Sequence, residues 1–333
     1  MKIHLVGLRD TALSAIVELH RLAEPPLHEL VDDPETAEMV LFLGAWKAYG
    51  EGVADNPLPR KYPEKYFMYS DDDGFVTLLP GVYANAEKPR GISRWIDLGR
   101  VESHMFVDVL NPNIVPMPHA KKKYLFSFAG GSTSLLRKKM YKIDYGRDDV
   151  LIRNTSDYYH WDPSQAGREA RQKEYAETIA SSHFGLCPRG ASAGGLRLFE
   201  VMQMGVAPVM ISDKFLLPQG PDWDKFLIDV PERKIKELPE ILEKYAHESA
   251  ERGRLARQAW ERHFSPPAVF NGIVAACVRA SERRRISERW IRPFWGYMLW
   301  RRRAYNSSRA LVKTVVLGVF RLLGLRFLYQ LNR

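Results

Sequence analysis

The sequence predicts an α/β chain built from parallel βαβ units and divided into two domains, and three observations carry that reading. Residues 184–187 and 206–211 are apolar runs of strand length separated by a helix-compatible stretch, 193–204, which is the pattern of two parallel strands joined by a crossover helix. Strand-like runs at 124–129 and 184–187 each end in a glycine-bearing turn that leads toward a helix. The 333 residues suffice for two cores, and the three prolines within 111–119 read as an extended connection between them. The expected division is 1–115, then 116–270, then a crossover helix and tail over 271–333.

Taken in order, residues 1–7 suit a first strand with a helix at 11–22 behind it, and 37–43 a second strand. A proline-rich loop at 56–63 precedes a strand at 65–69, which stops at Ser70-Asp71-Asp72-Asp73-Gly74. Residues 78–83, 91–95 and 101–111 continue this first domain. The second opens with the strand 124–129, the turn Gly130-Gly131 and a helix bearing Arg137. An apolar run at 150–152 follows, then a cluster of tyrosines with Trp161 that either lines a pocket or packs. A charged helix spans 166–180. Pro188 ends the next strand because it has no amide to donate. Ser192 is placed to cap the helix 193–204, and Gly205 to close it. Helical segments at 234–245 and 243–263 end before Pro266, and the apolar stretch 268–278 reads as a helix crossing back to the first domain.

Two places carry chemistry. In parallel sheets ligands bind beyond the carboxyl ends of the strands, where the loops of 130–137 and 188–197 lie. Gly130, Gly131 and the adjacent Gly194 and Gly195 permit close backbone approach, helix-start amides attract anions, and Arg137, Arg189 and Arg197 supply charge. That set suits a diphosphate. Arg197 and Glu200 share a helix face, the carboxylate placed to accept from ribose hydroxyls; a plain surface ion pair is the alternative. The glycines do not form a full Gly-x-Gly-x-x-Gly, which weakens a nicotinamide-binding oxidoreductase. The second place is the acidic loop, where Asp72 or Asp73 would act as general base toward an acceptor hydroxyl; a metal-binding loop and a solvated turn are the alternatives. His104 and His119 are further acid–base candidates, each more simply structural.

These residues also carry a family resemblance. SHFGLCPRG, then Arg197, Glu200, GVAPVMISD and LPQGPDWDKF, with KKYLFSFAGGSTSLLRKKMY upstream, resemble the exostosin-like glycosyltransferases over residues 121–242. The resemblance implies a GT-B architecture, two Rossmann-like domains facing across a cleft, with acceptor on the first and nucleotide sugar on the second. It implies transfer with inversion from a nucleoside-diphosphate sugar, a UDP-sugar by expectation, with Gly130, Gly131, Arg137, Arg189, Gly190, Ser192, Arg197 and Glu200 binding the donor. No metal ligand is assigned and a divalent ion is left open. The acceptor expected is a growing, lipid-linked bacterial surface glycan. A catalytically inactive scaffold for polysaccharide assembly is the rival.

Composition bounds the rest. Residues 281–333 hold 13 Lys and Arg against 2 acidic residues, whereas the first 280 hold 36 against 38, so the formal +9 resides in the tail. A near-neutral body argues against nucleic-acid binding. Arginines interleaved with Trp290, Phe294, Trp295, Tyr297, Trp300 and Tyr305 make the tail a basic amphipathic helical segment suited to an anionic membrane surface, though it could instead pack on the body. Cys187 and Cys277 form no disulfide framework, and Cys187 reads as a small core residue. No secretory signal is visible, and the amino-terminal anchor of animal family members is not seen, so the expectation is a bacterial cytoplasmic enzyme, peripheral on the inner membrane face.

Overall fold

The structure, a computed structural model, describes residues 1–8, 10–44, 51–61, 63–90, 96–107, 111–158, 164 and 166–322. The segment 91–95, Trp161 and the tail's end at 323–333 lie outside the described residues. The strands are β1 Lys2–Gly7, β2 Glu29–Leu30, β3 Met39–Leu43, β4 Tyr66–Ser70, β5 Gly81–Tyr83 and β6 Val101–Glu102, then β7 Tyr124–Gly130, β8 Val150–Asn154, β9 Ser182–Pro188, β10 Ala207–Ile211 and β11 Ile228–Asp229. The helices are α1 Asp10–Arg21, α2 Glu51–Ala54, α3 Leu58–Lys61, α4 Leu135–Met140, α5 Arg168–Ala180, α6 Leu196–Gln203, α7 Leu238–Glu243, α8 Ser249–His263, α9 Pro266–Arg283, α10 Glu288–Ile291 and α11 Trp295–Leu322.

The strands form two sheets, ordered β2-β1-β3-β4-β5-β6 and β11-β10-β9-β7-β8, and every pairing is parallel. This is a mixed α/β fold of Rossmann-like kind, as the alternation of strand and helix signals predicts. In both sheets the strand order reverses direction between the first and third strands. For the second sheet that switch point lies between β7 and β9.

Each sheet is buried on both faces, which explains its near-continuous apolar strands. In β3 and β4 the side chains alternate: Met39, Leu41, Leu43, Phe67 and Tyr69 pack toward Ile273, Val274 and Cys277 of α9. Val40, Phe42, Tyr66 and Met68 pack on the other face, with Ile291, Trp295 and Leu299. Residues 288–299 of the basic tail thus complete the first sheet's core, while the same segment turns aromatics to solvent. In the second sheet, Phe184, Leu186, Val209 and Ile211 face α4 and α7, and Cys187 and Met210 face α6 and α8. Gly185 lets α6 close on β9, since a Cβ there would sit 2.7 Å from Val201. Burial pushes the Cys187 thiol up to about 12, which makes it a packing residue rather than a nucleophile.

A buried ion pair ties the tail to the first sheet. Arg100, fully buried, donates through Nε and Nη2 to the two carboxylate oxygens of buried Glu288 at 2.7 and 2.8 Å, and also to the carbonyls of Thr77 and Leu78.

Candidate functional site

The carboxyl ends of β7 and β9 are neighbours, and the loops leaving them run to α4 and α6 on opposite sides of the switch point. Ser134 caps α4 by accepting from the Arg137 amide, which fixes Arg137 in the first turn. Arg137 then reaches across to β9, donating from Nη2 to the Pro188 carbonyl at 3.0 Å and from Nη1 to that of Gly131 at 3.3 Å. Arg197, in the first turn of α6, reaches the other way to the Ala129 carbonyl. Both guanidiniums lie against the Phe128 ring, at 5.2 and 4.5 Å from its centroid. The glycines exist to admit them. A Cβ on Gly130 would meet the Arg197 guanidinium at 3.1 Å, and one on Gly190 would meet Arg137 at 3.2 Å. Tyr141 closes the floor by donating to the Gly130 carbonyl.

Glu200 and Arg197 do share a face, but a third residue joins them. The Tyr175 hydroxyl donates to Glu200 Oε2 at 2.6 Å and accepts from Arg197 Nε at 3.0 Å. Burial pushes the Glu200 carboxyl upward, while the Tyr175 hydrogen bond and Arg197 pull it back in part. Burial works against the Arg197 cation too, but Tyr175 and Glu200 outweigh it and its pKa is raised. For Arg137 the nearby Tyr141 and Tyr175 do not make up for it. Burial first, and the neighbouring Arg197 second, push it down to about 10. Among the described residues no carboxylate lies in ion-pair range of Arg137. Among the described residues two converging cations therefore share one carboxylate, and both arginines are half-buried.

The remaining expected donor residues are distributed differently. Arg189 turns to Glu232 in a two-pronged pair at 2.6 and 2.9 Å, and Glu232 also accepts from the Asp213 amide, so this arginine braces β9 against the loop after β10. Ser192 does not cap α6. The helix starts at Leu196 with Gly195 as its N-cap and no side-chain cap, because the chain first packs Ala193 in the core and Gly194 against Phe215. Ser192 instead donates to Asn85 Oδ1 at 2.9 Å. Gly205 does close the helix region, with φ +71°. A Cβ at Gly195 would meet nothing within 4 Å, so the start of α6 beside Arg197 lies open.

Asn85 connects this loop to the acidic one. Its Nδ2 lies 3.3 Å from the carbonyls of Asp71 and Asp72 and 3.2 Å from Asp73 Oδ1. Asp72 is buried and Asp73 exposed. The strand-end aspartates of the first sheet and the β9 loop of the second thus meet through one amide. His119 is exposed, and His104 is buried against Phe264, with burial pushing it down to about 3. Among the described residues no group of three or more His, Cys, Asp and Glu is gathered as a metal site. The sequence reading missed Tyr175, Phe128 and Asn85. Phe128 sits two residues before the glycine turn that it floors, which was a usable signal.

The profile of the Exostosin GT47 domain matches residues 104–245, which takes in β7, β9, α4, α6 and both arginines. An Exostosin-1 homolog of Caenorhabditis elegans is 34% identical over 135 residues, 37% of this chain and 35% of that protein. Exostosin-1 of Drosophila melanogaster is 31% identical over 159 residues, and that of Bos taurus 27% over 158, covering 44% and 43% of this chain and 21% of each relative. The chain thus spans about a third of the worm protein and a fifth of the other two. Through residues 104–245 the chain is similar to the Exostosin GT47 domain, and the relatives that it matches are Exostosin-1 proteins and their homolog.

Proposed function

We propose that this chain transfers a sugar from a nucleoside-diphosphate sugar, a UDP-sugar in the first instance, to a hydroxyl of a glycan acceptor. The observation that carries the reading is the pair of half-buried arginines, Arg137 and Arg197, gathered on Phe128 at the switch point with, among the described residues, only Glu200 to balance them. A diphosphate supplies the missing negative charge, and the uncapped start of α6 adds backbone amides to it.

In the transfer, the acceptor oxygen bonds to the anomeric carbon as the bond from that carbon to the diphosphate oxygen breaks. The departing electron pair goes to the diphosphate, where the two arginines and the α6 amides stabilise it. Asp73 is exposed and Asp72 is buried beside it, and one of them takes the acceptor proton. The Asn85 tether favours this arrangement, because it sets the aspartate loop against the loop that leads into α6. On this reading the sheets either side of 111–119 form the acceptor and donor walls of a cleft.

Calorimetric titration with UDP, GDP and CDP tests the site. Binding of a diphosphate by the full chain, lost at least tenfold in Arg197→Ala with the fold retained by circular dichroism, is the expected result; one lost charge-assisted contact of ~1.5–3 kcal/mol corresponds to ~10–100-fold. If Arg197→Ala binds as tightly as the parent chain, the site assignment fails. Preference for another nucleotide would overturn UDP alone.

A further inference from the structure

The proposed reaction leaves the outer face of the tail unexplained. Among the described residues, every Phe, Trp or Tyr classed as exposed falls between 290 and 305: Trp290, Phe294, Tyr297, Trp300 and Tyr305, each 52–71% exposed. Soluble surfaces seldom gather large aromatics in this way without a partner. The gathering follows from how the tail is held. Ile291, Trp295 and Leu299 occupy the inner stripe on the first sheet, and Glu288 is locked to Arg100, so on α11 Tyr297 and Trp300 point away from the body. Their rings lie 6.0 Å apart.

The charges divide the same way. Arg283 and Arg284, where the chain enters the tail, are matched to Glu102 and Glu64 of the body. Arg289 and Arg292, flanking Trp290 and Phe294, have no carboxylate in range among the described residues. Aromatic rings with a polar edge, interleaved with unmatched arginines, are the side chains that favour the headgroup layer of a bilayer. No described helix is long and apolar enough to cross one.

We propose that the outward face of residues 289–305 docks flat on a bilayer surface rich in anionic lipid, independently of the transfer reaction. The charge sets the lipid class, since unmatched cations gain little at a neutral headgroup layer. Docking holds the first sheet, and with it the Asp72–Asp73 loop, at a fixed attitude to the membrane.

The test is co-sedimentation of the full chain with vesicles of phosphatidylcholine alone and of phosphatidylcholine with phosphatidylglycerol. The expected result is binding to the anionic vesicles only. Each of Arg289→Gln and Arg292→Gln should weaken it about fivefold, the equivalent of ~1 kcal/mol per basic residue. Trp290→Ala/Phe294→Ala/Trp300→Ala should weaken it more than tenfold while the melting temperature holds, because these rings lie outside the core. Failure to bind either vesicle overturns the proposal, as does anionic binding that the aromatic variant leaves intact. A dimer by light scattering that the aromatic variant dissociates, with no vesicle binding, would assign the face to a second copy and overturn it as well.

Discussion

Tyr175→Phe separates a packing role from a positioning one, because it removes a single oxygen and keeps the ring on which Arg197 rests at 5.3 Å. That oxygen serves two charged groups, Glu200 Oε2 at 2.6 Å and Arg197 Nε at 3.0 Å. Leaving a buried charged group without its partner costs about 2–3 kcal/mol, and at ~2–4 °C per kcal/mol that is a fall in Tm of about 5–10 °C. The deficit also has a pH signature. Burial raises the Glu200 carboxyl and the Tyr175 hydrogen bond counteracts it, so removing the hydroxyl raises the carboxyl further. A group whose pKa is higher folded than unfolded stabilises fully below its ordinary value and loses that stabilisation as pH rises through the folded value. The part of the variant's deficit that comes from Glu200 should therefore be smaller at acid pH and grow as pH rises through the folded value, while the part from Arg197 stays constant. Melting curves from pH 4 to 8 measure it, and diphosphate titration at pH 7.5 should show a loss of about tenfold as Arg197 loosens. Melting within 1 °C of the parent at all pH values would refute the argument that this hydroxyl joins the two charges.

Two further outcomes follow from buried charge. Glu288→Ala strands the Arg100 guanidinium in the first sheet's core and should cost ~3–5 kcal/mol by urea unfolding, while Arg100→Met/Glu288→Leu should recover most of it. The tail therefore cannot be removed at residue 281 without damaging the first sheet. His104, pushed down to about 3 by burial, must be neutral to fold, so the unfolded chain binds the extra proton below 6.5; stability should fall by up to ~1.4 kcal/mol per pH unit from there toward 3. His104→Gln should flatten that acid limb in urea titrations, and an unchanged limb would assign it to other groups.

The βαβ order was legible because each strand and turn announces itself locally: the apolar runs, Pro188 at a strand end, Gly205 with its positive φ. Arg137 and Arg197 were legible as residues near a strand end but not as a pair, since 60 positions of sequence separate them and only the β7–β9 adjacency joins them. Tyr175 lies 22 and 25 residues from its partners on another helix, beyond any helical periodicity. Ser192 misled because a serine before a helix-compatible stretch resembles a cap, while the packing of Ala193 and Gly194 delays the helix to Leu196. In the tail, composition pointed outward and concealed the inner stripe; Glu288, one of two acidic residues among 13 basic ones, was the clue to a buried partner.

The two sheets show why one amide matters more than its neighbours. Both sheets have their switch point between the first and third strands, yet the acidic loop follows β4, one strand beyond the switch point of its own sheet. Sheet topology therefore does not by itself bring Asp72 and Asp73 toward the arginines. Asn85 links their loop to the second sheet, by presenting donors to the aspartate loop and an acceptor to Ser192 on the loop that leads into α6. An aspartate at 85 would set a carboxylate against two carbonyls and Asp73, and a leucine would leave all four groups unmatched. Beside Asn85, backbone bonds from Lys88 to the Lys214 carbonyl and from Leu216 to the Ala86 carbonyl also join the segments after β5 and β10. In the proposed reaction the contact between the sheets would set the geometry, with the second sheet to supply the charge and the first the base.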